Sequence, residues 1–299
     1  MRLAITLLLT LSATSLIGQE HGGKAMSDNV PILEYVERDD RGLVNIKVPA
    51  IEGMECEIWC YEQGNMHTAI EHHMENAGVL VLIHRDGNAT VTSRFVPSAG
   101  AVDIHVTVTG PTEEDVRSVR NLNACWQFEK SPTFSSKDRA KYVEDFVARC
   151  FVILDGGLTL LKGTKRIPGT RGQENDKADL PNPWIQEYYP IWRTHPGQTK
   201  GQRGRSPDLP VYPIIGCTSR DGKHLAAIAW PETGSLGQVW HHCVHPRPWI
   251  VESYDEASNE TRSRARIYFM ENDGEKLISA FKEDFPDWVR PDLERIEKE

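Results

Sequence analysis

The 299-residue chain lacks the short motifs that mark several common enzyme classes. It has no Gly-x-Ser-x-Gly elbow, no phosphate-binding loop ending in Gly-Lys-Ser/Thr, no Gly-x-Gly-x-x-Gly after a strand and no EF-hand loop. These absences disfavour elbow-type serine hydrolases, nucleotide enzymes and dinucleotide enzymes. An excess of positive charge is missing too: 34 Lys and Arg against 43 Asp and Glu leave a net charge of -9. No basic surface is therefore expected to draw nucleic acid or anionic lipid. Long apolar runs are confined to the first residues, MRLAITLLLTLSATSLIGQ, which carry one cation at Arg2 and an apolar stretch from Leu3 to about Ile17. That stretch is shorter than the ~20 residues a spanning helix needs. Small residues at Ala13, Ser15 and Gly18 suit a signal peptidase. The expectation is a signal peptide over residues 1–18, with 19–299 exported to the periplasm or beyond as one domain without a membrane anchor.

What is present is mostly period two. In AVDIHVTVT, Val102, Ile104, Val106 and Val108 point one way and Asp103, His105, Thr107 and Thr109 the other, the pattern of a half-buried antiparallel strand. Two β-rich runs flank Asp86-Gly87-Asn88, and two more flank Asp155-Gly156-Gly157, so each set is expected to form a hairpin. Further strands are expected at LVNIKV, HLAAIAW and RARIYF. Helical spacing is scarce. SSKDRAKYVEDFVARC places Tyr142, Phe146 and Cys150 on one stripe, and DGEKLISAFKEDF, opening at Asp273, does so with Leu277, Ile278, Phe281 and Phe285. The expected architecture is all-β, an antiparallel two-sheet sandwich with one or two short covering helices. Residues 165–212 keep no period but hold Trp184, Tyr188, Tyr189 and Trp192, more aromatics than a linker usually carries, which suits an ordered loop.

All six cysteines, Cys56, Cys60, Cys125, Cys150, Cys217 and Cys243, lie in the part expected to be exported, where up to three disulfides could form. Cys243 pairing with Cys217 is one expectation. Cys243 belongs to WHHCVHPRPWI, residues 240–250, where strand alternation sets His241, Cys243 and His245 on one face and Trp240, His242 and Val244 on the other, with Pro246 and Pro248 ending the run. A His-x-His pair on a strand can chelate zinc or move protons. In MHTAIEHH, His72 and His73 stand among carboxylates on what reads as a polar turn or strand edge. NACWQFEK alternates Asn123, Cys125, Gln127 and Glu129 against Trp126 and Phe128.

The segments CTSRDGKHLAAIAWPE, WHHCVHPRPW and RARIYFMENDGEKLISAFKEDF resemble an uncharacterised family of exported bacterial β-sandwich proteins over roughly the last 90 residues. At the level of fold the chain also resembles the large sandwiches of galactose mutarotases and some polysaccharide lyases. That likeness implies a carbohydrate ligand. The expected function is binding of a sugar or polysaccharide, with lyase- or epimerase-type proton transfer by His72, His73, His241 or His245. Arg85 would neutralise a uronate carboxylate, and Trp184, Trp192, Tyr188 and Trp126 would contact the sugar. A non-catalytic sugar-binding or cell-envelope protein is the alternative, and a zinc protein centred on His241 and His245 a third reading. No cofactor and no metal ligand are assigned.

Overall fold

The computed structural model describes residues 29–38, 41–59, 61, 68–119, 122–136, 145–165, 187–190, 206–238 and 242–288. The expected signal peptide, most of the 165–212 stretch, Trp184, Trp192 and His241 lie outside them. Numbered in chain order, seven strands make one sheet: β1 (Ile32–Arg38), β2 (Arg41–Lys47), β3 (Glu55–Trp59), β8 (Cys125–Gln127), β15 (Cys243–Pro248), β14 (Thr233–Gln238) and β11 (Glu187–Tyr188), in that spatial order. The larger sheet runs β10 (Gly157–Leu160), β9 (Cys150–Leu154), β12 (Ile214–Thr218), β13 (His224–Ala229), β17 (Glu260–Glu271), β7 (Ala101–Thr109), β6 (Ala89–Ser98), β5 (Leu80–Asp86) and β4 (Glu71–Met74), with β16 (Tyr254–Asp255) on the side of β17. Every described pairing is antiparallel.

The alternation read from the sequence sets which face is buried. Val102, Ile104, Val106 and Val108 of β7 join Val44, Ile46, Ile58, Trp126 and Val244 from the smaller sheet in one apolar core between the sheets. The all-β two-sheet sandwich is therefore the fold. Both hairpins form, β5 to β6 through Gly87-Asn88 with Asp86 opposite Ala89, and β9 to β10 through Asp155-Gly156. Gly87 has φ +59, a left-handed conformation that glycine adopts without a Cβ penalty. The closing helix, α2 (Gly274–Asp284), starts where expected, because the Asp273 carboxylate accepts from the Glu275 and Lys276 amides. Its Leu277 and Phe281 pack on Tyr212, Leu225 and Tyr268, covering the outer face of the larger sheet. A shorter helix, α1 (Glu113–Ser118), opens with a Thr112–Asp115 capping box.

Three expectations are corrected. The helix over residues 136–150 falls largely outside the described residues, and its end is a 3-10 turn at Val147–Arg149 with Cys150 already in β9. Pro246 and Pro248 do not end β15 but lie within it. Strand β8 stops opposite Cys243 and Val244, so one edge of β15 beyond them is unpaired and a missing N–H costs little there. Among the described cysteines no disulfide forms: Cys217 faces Cys150 across β12 and β9 in the larger sheet, whereas Cys243 lies in the smaller sheet. The expected Cys217–Cys243 bond would have to cross between the sheets.

Trp126 and Trp230 are the largest fully buried side chains of this core, and Trp126 donates from Nε1 to Cys56 Sγ at 3.1 Å with Phe128 and Phe269 against its ring. Trp126→Ala should cost about 3–5 kcal/mol, read as a lower urea midpoint with unchanged slope. A midpoint equal to that of the parent would show that Trp126 does not support the core.

Candidate functional site on the outer face of the smaller sheet

Strand alternation sends every second residue of the smaller sheet away from the core. Trp126, Val244, Leu236 and Tyr188 point inward. Their neighbours Cys125 and Gln127, Cys243, His245 and Arg247, Ser235 and Gly237, and Glu187 therefore share the outer face. Register aligns them further: Gly237 stands opposite both Glu187 and His245, and Gln127 opposite Cys243. An outward face is usually wet, but here Cys125, Cys243 and His245 are only 1%, 0% and 2% exposed. Glu187 and Arg247 each keep 24% of their side-chain surface.

Two groups of side chains occupy this face. In the first, the Sγ of Cys243 lies 3.2 Å from Nε2 of His245, whose Nδ1 lies 3.2 Å from Oδ1 of Asn123. Gln127 donates from Nε2 to Cys125 Sγ at 3.4 Å, and the ligand atoms of Cys125, Cys243 and His245 all fall within 4.8 Å of one another. Burial opposes ionisation of Cys125. The hydrogen bond from Cys243, the charge and hydrogen bond of His245 and the Gln127 amide outweigh it and hold the Cys125 thiol well below the usual thiol range. Cys56, Cys150 and Cys217 show the opposite case, where burial dominates and pushes the thiol up.

The second group centres on Glu187. Its carboxylate accepts from Ser235 Oγ at 2.8 Å and Tyr189 OH at 2.9 Å, and it pairs with Arg247. Burial raises its pKa, but the Arg247 charge and these hydrogen bonds win and hold it below the ordinary carboxylate value. Between the two groups Gly237 presents no side chain. A Cβ placed there would meet the Arg247 guanidinium at 3.9 Å and the His245 Cβ at 4.0 Å, so both side chains approach the glycine. Two strand spacings, roughly 10 Å, separate Glu187 from His245 across it.

The residues expected from sequence are not gathered at one place. His72 and His73 sit on β4, an edge strand of the other sheet, where His72 stacks on Tyr35 at 4.2 Å and His73 lies 4.0 and 3.9 Å from Glu71 and Glu75. Arg85 is exposed on β5 of that same sheet. Trp126 and Tyr188 have no exposed surface; both rings fill the core, and Tyr188 OH bonds Thr164. Neither offers a face to a sugar. His245 alone, of the expected residues described, lies on the outer face. Missed in sequence were Glu187, Ser235 and Arg247 and the meeting of Cys125 with Cys243, although NACWQF and CVHPR each show the alternation that turns their polar residues outward.

A concavity of about 790 Å³ lies by the end of α2, lined among others by Glu232, Arg264, Asp284 and Trp288. Of its lining charges, Arg264 pairs with Asp103 and Asp284 with Arg266 at 3.0 Å, ion pairs that serve the larger sheet and its covering helix. The outer face of the smaller sheet, where thiols, imidazole, carboxylate and guanidinium converge, is the better candidate.

No family model and no curated protein matches the chain. Among solved structures it is similar to an α-N-acetylgalactosaminidase from Bifidobacterium bifidum, at 11% identity and TM-score 0.44 over 88% of this chain. The chain spans only 38% of that enzyme's length. It is also similar to a galactose mutarotase related enzyme from Lactobacillus acidophilus, at 9% identity and TM-score 0.32 over 80% of this chain and 97% of that one. The likeness is one of fold.

Because Glu187 is depressed in the folded state, its contribution to stability is present above the unfolded carboxylate pKa of about 4.3 and is lost as pH falls through the lower folded value. Glu187→Gln should therefore be less stable than the parent at neutral pH, with the difference shrinking on acidification. Urea midpoints across the acid range test this, and a difference independent of pH would remove the ionic role of Glu187.

Proposed function

We propose that the chain is an exported carbohydrate-interacting protein whose ligand lies on the outer face of the smaller sheet, over Gly237 and beside Glu187 and Arg247. The observation that carries this reading is the fixed carboxylate and guanidinium pair, partly exposed and next to a position with no side chain. A carboxylate accepts hydrogen bonds from adjacent sugar hydroxyls and a guanidinium donates them, so the pair presents both complements of a hydroxylated ring. Export, expected from the N-terminal residues, would present this face to envelope or environmental glycans.

Proton transfer in the manner of an epimerase or lyase is the catalytic form of the reading. Among the described residues Glu187 is better placed for it than a histidine, since both ring nitrogens of His245 already have partners and His72 and His73 lie on the other sheet. A second observation favours binding without turnover. Arg247, Ser235 and Tyr189 make Glu187 a weaker base than an ordinary carboxylate, and an efficient base has its pKa near the working pH.

A glycan array followed by product analysis separates these forms. The parent should retain a defined set of glycans, and Arg247→Ala should lose roughly tenfold to a hundredfold in affinity, the worth of one hydrogen bond to a charged group. An array on which the folded parent retains nothing would sink the carbohydrate reading. Unsaturated or epimerised product that disappears in Glu187→Gln would establish turnover, whereas retention without product leaves the binder.

A further inference from the structure

We propose that Cys125, Cys243 and His245 form a site for a thiophilic metal ion, with zinc(II) as the ion the donor set fits. The inference goes beyond the carbohydrate reading and does not depend on it. Two thiols and one imidazole from two adjacent strands converge with their ligand atoms within 4.8 Å of one another, and all three residues are buried. Around a tetrahedral zinc, bonds of about 2.0–2.3 Å set donor atoms roughly 3.5–3.8 Å apart, so small shifts bring these three to bonding distance.

The surrounding residues supply what such a site needs. His245 directs Nε2 at Cys243 Sγ, while Nδ1 meets Asn123 Oδ1 at 3.2 Å. An amide oxygen can only accept, so Nδ1 carries the proton and Nε2 keeps a lone pair for a metal. Gln127 donates to Cys125 Sγ at 3.4 Å, the hydrogen bond that steadies a coordinated thiolate. Binding releases the two ionisable protons of the cluster to solvent and forms two metal–sulfur bonds and one metal–nitrogen bond, with no change in oxidation state. The product, one divalent cation with two thiolates and a neutral imidazole, carries no net charge, which suits a face this dry. Three protein donors leave the fourth position of a tetrahedral ion to an exogenous ligand.

The test uses the full chain, expressed without a histidine tag and purified without chelator, with zinc alone as the probe. Elemental analysis should find about one equivalent of zinc, and cobalt(II) in its place should give a thiolate-to-cobalt charge-transfer band. Cys125→Ser and Cys243→Ser should lose both. Should those variants fail to fold, Asn123→Ala decides: it leaves the three donors in place and should bind zinc about tenfold to a hundredfold more weakly in competition with a chromophoric chelator, with unchanged melting of the metal-free form. Zinc below about a tenth of an equivalent in the reduced, zinc-supplemented parent would overturn the proposal. So would a Cys125–Cys243 disulfide found by peptide mapping of the protein as isolated, or zinc affinity unaltered in Asn123→Ala. Glu187→Gln should keep its zinc, so a blank glycan array and an absent metal are separate failures.

Discussion

A short stretch of register, Cys243 opposite Gln127 and Val244 opposite Trp126, joins the two parts of the smaller sheet. On one side lie β1, β2 and β3 from the start of the domain; on the other lie β14 and β11 from its second half. Strand β8 is only three residues long, so its hydrogen bonds alone could not hold this junction. The indole of Trp126 supports it from the core side, packed against Phe128 and Phe269 and bonded to Cys56. Because side chains alternate across a strand, fixing Trp126 and Val244 inward also fixes Cys125, Gln127, Cys243 and His245 outward. A slip of one residue would exchange the two sets, placing thiols and imidazole in the apolar core.

Much of the fold was legible because period two is a local property. The β7 valines, the two Gly-containing hairpins and the Asp273 cap each declare themselves within ten residues or so, and each forms as expected. The candidate site was legible only in halves. NACWQF and CVHPR each show which residues share a face, but nothing local says that these two segments pair. Without that pairing Cys243 reads as half of a disulfide and Trp126 as an exposed aromatic. Glu187 was harder still. It lies in an aperiodic, Pro- and Gly-rich stretch, and only its two-residue pairing with β14 brings it beside Arg247.

The histidines show how residue type misleads where position is unknown. His73 keeps its sequence neighbours Glu71 and Glu75 beside it on an exposed edge strand, where charge is screened, while His72 turns to Tyr35. His84, which drew no attention, is buried in β5 against Tyr61, and desolvation takes its pKa down to about 4. A histidine held neutral in this way packs as a core residue. His245 differs from both, since it is buried yet meets a polar partner at each nitrogen. That combination suits a group held in one orientation.

The dryness of this outer face ties the thiol group to the Glu187 group. Removing water strengthens every favourable contact among Cys125, Cys243, His245, Asn123 and Gln127, and equally raises the cost of any charge left without compensation. Cys125 is drawn toward the thiolate by Cys243, His245 and Gln127 while burial resists it. Glu187 meets the same demand with Arg247. The two solutions differ in what they leave open. An Arg–carboxylate pair is complete within the chain and keeps unused donors and acceptors for neutral hydroxyls, which bring no charge to a dry surface. The thiol cluster instead brings two sulfurs and an imidazole nitrogen within 4.8 Å of one another, the donor set that the proposed zinc would take. Gly237, without a side chain of its own, stands in register between Glu187 and His245, so the two groups share one face at a distance of two strands.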